Sequence, residues 1–76
     1  MRKEGVFQER LRLLRQKRGV SQRQVAEGLG ITEVGYQNYE VGRREPAYKQ
    51  LIAIAENFDV SLDYLVGRTD NPAVNR

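Results

Sequence analysis

Residues 21–40, SQRQVAEGLGITEVGYQNYE, decide the fold of this chain. The stretch opens with the S-x-x-Q form of a capping box. In such a box the Ser21 hydroxyl accepts from the backbone N–H of Gln24, and the Gln24 side chain accepts from the N–H of Ser21. Apolar Val25, Ala26 and Leu29 then follow at one-turn spacing. This pattern predicts a short amphipathic helix over residues 22–29.

A second helix is predicted directly after a glycine turn. Gly28 and Gly30 are expected to end the first helix, with Gly30 in the left-handed conformation. Thr32 is expected to cap a helix over residues 33–41 that carries Tyr36 and Tyr39 on its inner face. Two helices joined by such a turn within about twenty residues form the arrangement that places the second helix in the DNA major groove.

Further helices are predicted on both sides of this pair. Residues 7–18 place Phe7, Leu11 and Leu14 on one helical face, and a helix that begins at or just after Pro46 and runs to about residue 57 keeps the same period. Ser61 and Gly67 bracket a short helix over residues 62–66. Since no strand pattern occurs, we predict an all-α five-helix bundle. The domain would span residues 7–68, between a flexible N-terminus (1–6) and a flexible tail (69–76).

Length and residue types restrict the chemistry. The 76 residues suit one domain of modest stability, because a chain of this size buries only about 60% of its unfolded surface. The chain has no cysteine and no histidine, which removes thiolate metal sites and the commonest general base. We therefore expect no metal, no cofactor and no small-molecule ligand. The carboxylates at Glu56, Asp59 and Asp63 suit helix ends, and no serine has an activating base, so we expect no enzyme.

Positive charge is concentrated in the first part of the chain. Residues 1–30 contain eight lysines and arginines against three acids, whereas residues 31–76 contain five against seven. This asymmetry is typical of an electrostatic footprint for nucleic acid. It is also compatible with a charged surface that keeps a small bundle soluble. No apolar run resembles a signal peptide or a membrane span, so the expected location is cytoplasmic, without a membrane partner.

Three segments show a family resemblance: RLRLLRQKRGVSQRQVAEGLGI, YQNYEVGRREP and LIAIAENFDVSLDYLVGRTD. In order and spacing they resemble the phage Cro/lambda-type repressor family of helix-turn-helix regulators (the XRE family). The resemblance covers residues 7–70. It implies a lambda-repressor-like bundle that binds a double-stranded DNA operator and regulates transcription, most simply as a repressor. Such modules usually bind as two-fold dimers, so a homodimer is expected at least on DNA.

Side chains on the first turns of the second helix are the candidates for reading bases. Glutamine and asparagine can pair with the adenine edge, and valine can contact a thymine methyl group. Glutamate can accept from cytosine, although at this position it would also favour the helix N-terminus. The predicted base-reading residues are Thr32, Glu33, Val34, Gln37 and Asn38.

The resemblance also implies residues that contact the DNA backbone. Ser21 and Gln22 would meet a phosphate at the helix N-terminus, where free N–H groups and the helix dipole favour an anion. The alternative for Gln22 is a solvated residue of the first turn. Arg43 and Arg44 lie in the loop that flanks the phosphates in this family. Arg15 and Glu40 are implied to form a largely buried ion pair, which would give Arg15 a structural role instead of a DNA contact.

Two other functions remain open at this point. One is an antitoxin-like protein-interaction module in which DNA binding is secondary. The other is a helical scaffold with no DNA role. A scaffold would show no operator preference even at low salt, which separates it from an operator-binding regulator.

Overall fold

The computed structural model describes residues 5–74, which contain five α-helices and no strand. The helices are α1 (Val6–Arg18), α2 (Gln22–Leu29), α3 (Glu33–Glu40), α4 (Tyr48–Phe58) and α5 (Leu62–Leu65). The prediction of an all-α five-helix bundle is confirmed. The expectations for residues 1–4 and 75–76 lie outside the described residues. Helix α1 begins at Val6, one residue before the predicted start, with Gly5 as its N-cap.

Short-range hydrogen bonds define α2. The Ser21 hydroxyl accepts from the Gln24 N–H at 3.1 Å, and the Gln24 side chain accepts from the Ser21 N–H at 2.8 Å, so the capping box is confirmed. The helix ends at Gly30, whose φ of 72° lies in the left-handed region. Gly28 does not end the helix, contrary to the prediction. It keeps helical geometry because glycine lowers helix stability without preventing the conformation.

Helix α3 is also capped locally. The Thr32 hydroxyl accepts from the Gly35 N–H at 3.0 Å, as expected for an N-cap. The helix ends at Glu40, one residue before the predicted end, and Val41 is its C-cap. Glu40 is therefore the last helical residue, beside the turn that leads into the loop 41–47.

Helix α4 begins at Tyr48, two residues after Pro46, whereas the prediction was a start at or just after Pro46. Pro46 lies in the loop instead of the first turn, and the N-cap is Ala47, whose backbone is extended and whose carbonyl accepts from the Leu51 N–H at 2.9 Å. Ala47 has no side chain that could cap the helix, so no sequence signal marked this start. Helix α5 has such a signal, because the Ser61 hydroxyl accepts from the Tyr64 N–H at 3.0 Å.

The core lies where four of the helices meet. The largest fully buried side chains are one each from α1, α3, α4 and α5: Leu11, Tyr36, Ile54 and Leu65. Val25 and Ala26 of α2 complete this cluster from the side of the turn. The helical periodicity predicted most of these positions. Leu13, which lies off the α1 stripe, is 51% exposed.

Arg10 connects α1 to α5 and to the segment that follows α5. Its guanidinium donates to the carbonyl oxygens of Tyr64 and Thr69 and pairs with Asp70 at 2.7 Å. It also lies over the Tyr64 ring, 4.1 Å from the centroid. The segment after α5, predicted to be a flexible tail from residue 69, is thus hydrogen-bonded to α1 in this structure. None of the described helices has the length and apolar character of a membrane span.

Candidate nucleic-acid interface

Helices α2 and α3 form a packed pair that the other helices support. Helix α2 packs on α3 and α4, and α3 also packs on α1. Tyr36 is fully buried in the middle of α3, while Val25 and Ala26 are buried on the facing side of α2. A helix that is anchored by its inner face presents its outer face in a fixed orientation, which is a requirement for reading a DNA groove.

The five residues predicted to read bases lie together on the outside of α3. Thr32, Glu33 and Val34 are exposed, Val34 to 63%, and the other two are half-buried. Their spacings of three and four residues make them neighbours on one helix surface. The Gln37 amide nitrogen lies 3.4 Å from the Glu33 carboxylate and donates to it. We call this surface the recognition face: Thr32, Glu33, Val34, Gln37 and Asn38.

The loop after α3 places two arginines beside the recognition face. The backbone N–H groups of Arg43 and Arg44 donate to the carbonyl oxygen of Asn38, at 2.9 and 3.3 Å. The Arg43 guanidinium also donates to the Asn38 side-chain oxygen at 3.2 Å. Both arginines are exposed. Their position next to a possible groove contact suits phosphates that border the groove.

The start of α2 offers free donors. Of the N–H groups that a helix leaves unpaired at its N-terminus, the capping box satisfies those of Ser21 and Gln24. Those of Gln22 and Arg23 have no partner within the helix. The Gln22 side chain does not extend freely into solvent, because its amide donates to a Glu40 carboxylate oxygen at 3.1 Å. The prediction for this residue did not include that contact.

Arg15 and Glu40 form a bidentate ion pair between α1 and the end of α3. The Arg15 Nε donates to one carboxylate oxygen at 2.6 Å, and its Nη2 donates to the other at 3.2 Å. The side chain of Glu40 is 2% exposed. The Arg15 guanidinium is therefore largely buried and paired with Glu40, so it is not free to contact DNA.

The surroundings shift the pKa values of this cluster. Burial alone would raise the pKa of Glu40, but the hydrogen bonds from Arg15 and Gln22 and the nearby Tyr36 hydroxyl outweigh it and hold that pKa below its ordinary value. The hydrogen bond to Glu40 raises the pKa of Arg15. Burial raises the pKa of the Tyr36 phenol, and the nearby carboxylate raises it further. The pair is therefore charged and the phenol neutral at pH 7.

Arg10 and Arg18, two other arginines of the basic first part, also contact residues of the bundle. Arg10 holds the segment after α5, as described above. The Arg18 guanidinium lies over the Phe58 ring, 4.8 Å from its centroid, and donates to the Asn57 side chain at 3.2 Å. Charge counting could not separate these arginines from DNA-contacting ones, because their partners are 39 to 60 residues away in sequence. Within residues 5–74, no acidic residues cluster as a metal site would require.

Comparison with known proteins identifies similar chains. The HTH_3 family model, described as helix-turn-helix, matches residues 11–65. The chain is 45% identical over 69 residues to the uncharacterized HTH-type transcriptional regulator YqaE of Bacillus subtilis (strain 168), covering 91% of this chain and 60% of YqaE. It spans about three-fifths of the length of YqaE and of two further relatives from the same organism.

Two solved structures have a similar fold. One is the crystal structure of the P22 c2 repressor in complex with synthetic operator 9T, with a TM-score of 0.76 and 28% identity over 80% of this chain and 92% of that one. The other is the solution structure of the DNA-binding domain of the P22 c2 repressor, with a TM-score of 0.78 and 27% identity over 92% of this chain and 91% of that one.

Proposed function

Because the chain belongs to the HTH_3 helix-turn-helix family, among its Cro/lambda-type (XRE) regulators, we propose that it binds double-stranded DNA operators and regulates transcription as a repressor. The observation that carries this proposal is the recognition face, which is mostly polar, at least partly exposed at every residue, and fixed by the buried inner side of α3. The structural similarity to a repressor solved with its operator supports the same function. Such a protein needs no catalytic group, metal or cofactor.

In the proposed complex, α3 enters the major groove. Gln37 and Asn38 contact adenine edges, and Val34 contacts a thymine methyl group. Glu33 accepts from a cytosine amine or orients Gln37 through their hydrogen bond. Thr32 combines a base contact with its capping role.

Backbone contacts border the groove on two sides. At the start of α2, the N–H groups of Gln22 and Arg23, together with the Ser21 hydroxyl and the Gln22 amide, donate to one phosphate. On the other side, Arg43 and Arg44 neutralise neighbouring phosphates. Such contacts fix the orientation of α3 and carry no sequence information themselves.

We further propose that two copies bind one operator in the cytoplasm. Two recognition helices about 34 Å apart would read half-sites one turn of B-DNA apart. Leu13, which is exposed, and Tyr64 and Val66 near the end of α5 are candidate contacts between the copies. Sedimentation of the protein–operator complex at micromolar concentration tests this arrangement. A complex that always contains one subunit would exclude it.

The experiment that tests the function is selection of bound fragments from a random duplex pool, followed by two substitutions. Gln37→Ala is expected to lose discrimination at one or two base positions, by about 1–3 kcal/mol each. Arg43→Ala is expected to weaken binding to all duplexes by a similar factor. Gln16→Ala, an exposed position on α1, is the control and should bind as the wild type does.

Several outcomes would contradict the proposal. A wild-type protein that enriches no sequence at low salt would not be an operator-binding regulator and would favour the scaffold or the antitoxin-like alternative. If Gln37→Ala and Arg43→Ala behaved alike on every duplex, α3 would not be the reading helix.

A further inference from the structure

The Glu40 carboxylate connects three helices at the border of the proposed DNA contact. It accepts two hydrogen bonds from Arg15 of α1 and a third, at 3.1 Å, from the amide of Gln22, the first residue of α2. Glu40 itself is the last residue of α3. One buried carboxylate is thus in direct contact with a side chain at the N-terminus that faces the phosphate in the proposed complex.

This contact determines which way the Gln22 amide points. A carboxylate can only accept hydrogen bonds, so the nitrogen of the amide, and not its oxygen, must face Glu40. The amide nitrogen carries two hydrogens, of which one is directed at Glu40. Gln22 is half-buried, which leaves part of the amide accessible. A phosphate oxygen also only accepts, so the second N–H is the group that can donate to DNA.

We infer that Glu40 is a positioning residue for DNA binding, which holds the Gln22 amide in the orientation that donates to a backbone phosphate. The inference rests on the proposed function, because it concerns how α2 meets DNA. A freely rotating glutamine loses rotamer freedom when it binds, which weakens association. In this chain the hydrogen bond to Glu40 restricts the side chain before DNA arrives.

The contact is separable from the stability of the fold. Arg15 alone already gives Glu40 two hydrogen bonds and an opposite charge. The N-terminus of α2 is capped by Ser21 and Gln24 without help from Gln22. Removing the Gln22 amide should therefore leave the ion pair and the capping box in place, so that an effect on DNA binding is not an effect of unfolding.

The first test uses Gln22→Met, which keeps the length of the side chain and removes its donors. The probes are the duplex selected by the wild-type chain and copies of it in which single phosphates are replaced by methylphosphonate. At one position, replacing the phosphate by methylphosphonate should weaken binding of the wild type about fivefold more than binding of Gln22→Met. This is the size expected for one hydrogen bond. Gln16→Met, the same change at an exposed site, should match the wild type. Equal losses for Gln22→Met and the wild type at every position would overturn the inference.

The role of Glu40 is tested by Arg15→Met/Glu40→Met, since an apolar pair often replaces a buried ion pair without loss of stability. The double variant should fold, as judged by circular dichroism. Like Gln22→Met, it should no longer show the extra loss of affinity at the one methylphosphonate position. A folded double variant that keeps the wild-type discrimination would refute the positioning role.

A measurement on the wild type does not depend on any variant. The side-chain amide of Gln22 should have an NMR order parameter close to the value of about 0.85 that is typical of rigid backbone, whereas Gln16 should be mobile. A Gln22 amide as mobile as that of Gln16 would contradict the inference. If the wild type selects no duplex at all, the proposed function fails. If the wild type binds a selected duplex but its Gln22 amide is mobile, the positioning role is refuted and the proposed function is not.

Discussion

At the scale of single residues, the Glu40 carboxylate, which is 2% exposed, depends on Arg15 for its balance of charge. Arg15→Met should lower the free energy of unfolding by about 3–5 kcal/mol, since it leaves a buried charge without its partner. Urea unfolding at pH 7 measures the loss. Arg12→Met, at an exposed position of the same helix, is the control and should change stability by less than about 0.5 kcal/mol. Equal midpoints for the two variants would show that the ion pair contributes nothing.

The lowered pKa of Glu40 predicts how stability depends on pH. A carboxyl group whose pKa is lower in the folded state than in the unfolded state stabilises the fold above its unfolded pKa of about 4.3. That contribution disappears as the pH falls through the folded pKa. The urea midpoint of the wild type should therefore drop between pH 5 and pH 2. Arg15→Met/Glu40→Met lacks this carboxyl and should show a smaller drop, and an equal drop would assign the acid sensitivity to other groups.

The sequence was enough to predict the residues of the recognition face. It was not enough to predict which residues each arginine contacts. Arg43 and Arg44 are exposed in the loop after α3, whereas Arg10, Arg15 and Arg18 contact residues that are distant in sequence, Arg18 from an exposed position. An arginine in a helix looks the same in sequence whether it faces solvent or a distant carboxylate. The family resemblance identified the Arg15 pair, and no local pattern marked the contacts of Arg10, Arg18 or Gln22.

At the scale of elements, the two glycines at the end of α2, Gly28 and Gly30, differ in what they do. Gly30→Ala should destabilise the fold by about 1–2 kcal/mol, because its φ of 72° is left-handed and nothing else crowds the site. Gly28→Ala should stabilise it by about 0.5 kcal/mol, since alanine favours the helix by about 1 kcal/mol and its Cβ would displace only the Asn57 amide, 3.0 Å away. Thermal unfolding of both variants measures the difference, and shifts of the same sign would contradict it.

Helix boundaries followed the capping signals wherever a side chain supplied one. Ser21, Thr32 and Ser61 each accept from the N–H three residues ahead, and the helices begin where these residues predicted. Helix α4 has Ala47 at its N-cap, so the sequence located its start only approximately, at or just after Pro46. Where backbone and tertiary contacts alone define an end, the sequence offers no local marker.

For the whole molecule, helical periodicity predicted the core, because each apolar stripe must be buried against another one. The hydrogen bonds and the ion pair between α1 and the segment after α5 could not be predicted in this way. It depends on Arg10 and on carbonyl oxygens, and every residue has a carbonyl oxygen. The charge that is free to meet DNA is consequently smaller than the sequence suggested, since Arg10 and Arg15 are largely covered and paired, and the exposed Arg18 contacts Phe58 and Asn57.

This distribution of charge gives a prediction about salt. If each subunit neutralises four to six phosphates, the logarithm of the binding constant should fall with the logarithm of salt concentration at a slope of about −4 to −5 per subunit. Arg44→Ala should make that slope less negative by about one, because the residue is exposed beside the recognition face. Fluorescence anisotropy with the selected duplex at several salt concentrations measures the slope.

Arg18→Ala is the matched control, because it removes the same charge from a residue that is held by Phe58 and Asn57. It should lower stability by about 0.5–1 kcal/mol, the size of an exposed cation–π contact, and leave the slope unchanged. A slope that changes as much for Arg18→Ala as for Arg44→Ala would mean that Arg18 leaves the Phe58 ring for a phosphate. The phosphate contacts would then extend to the end of α1, and the partners seen in the free protein would not define which arginines bind DNA.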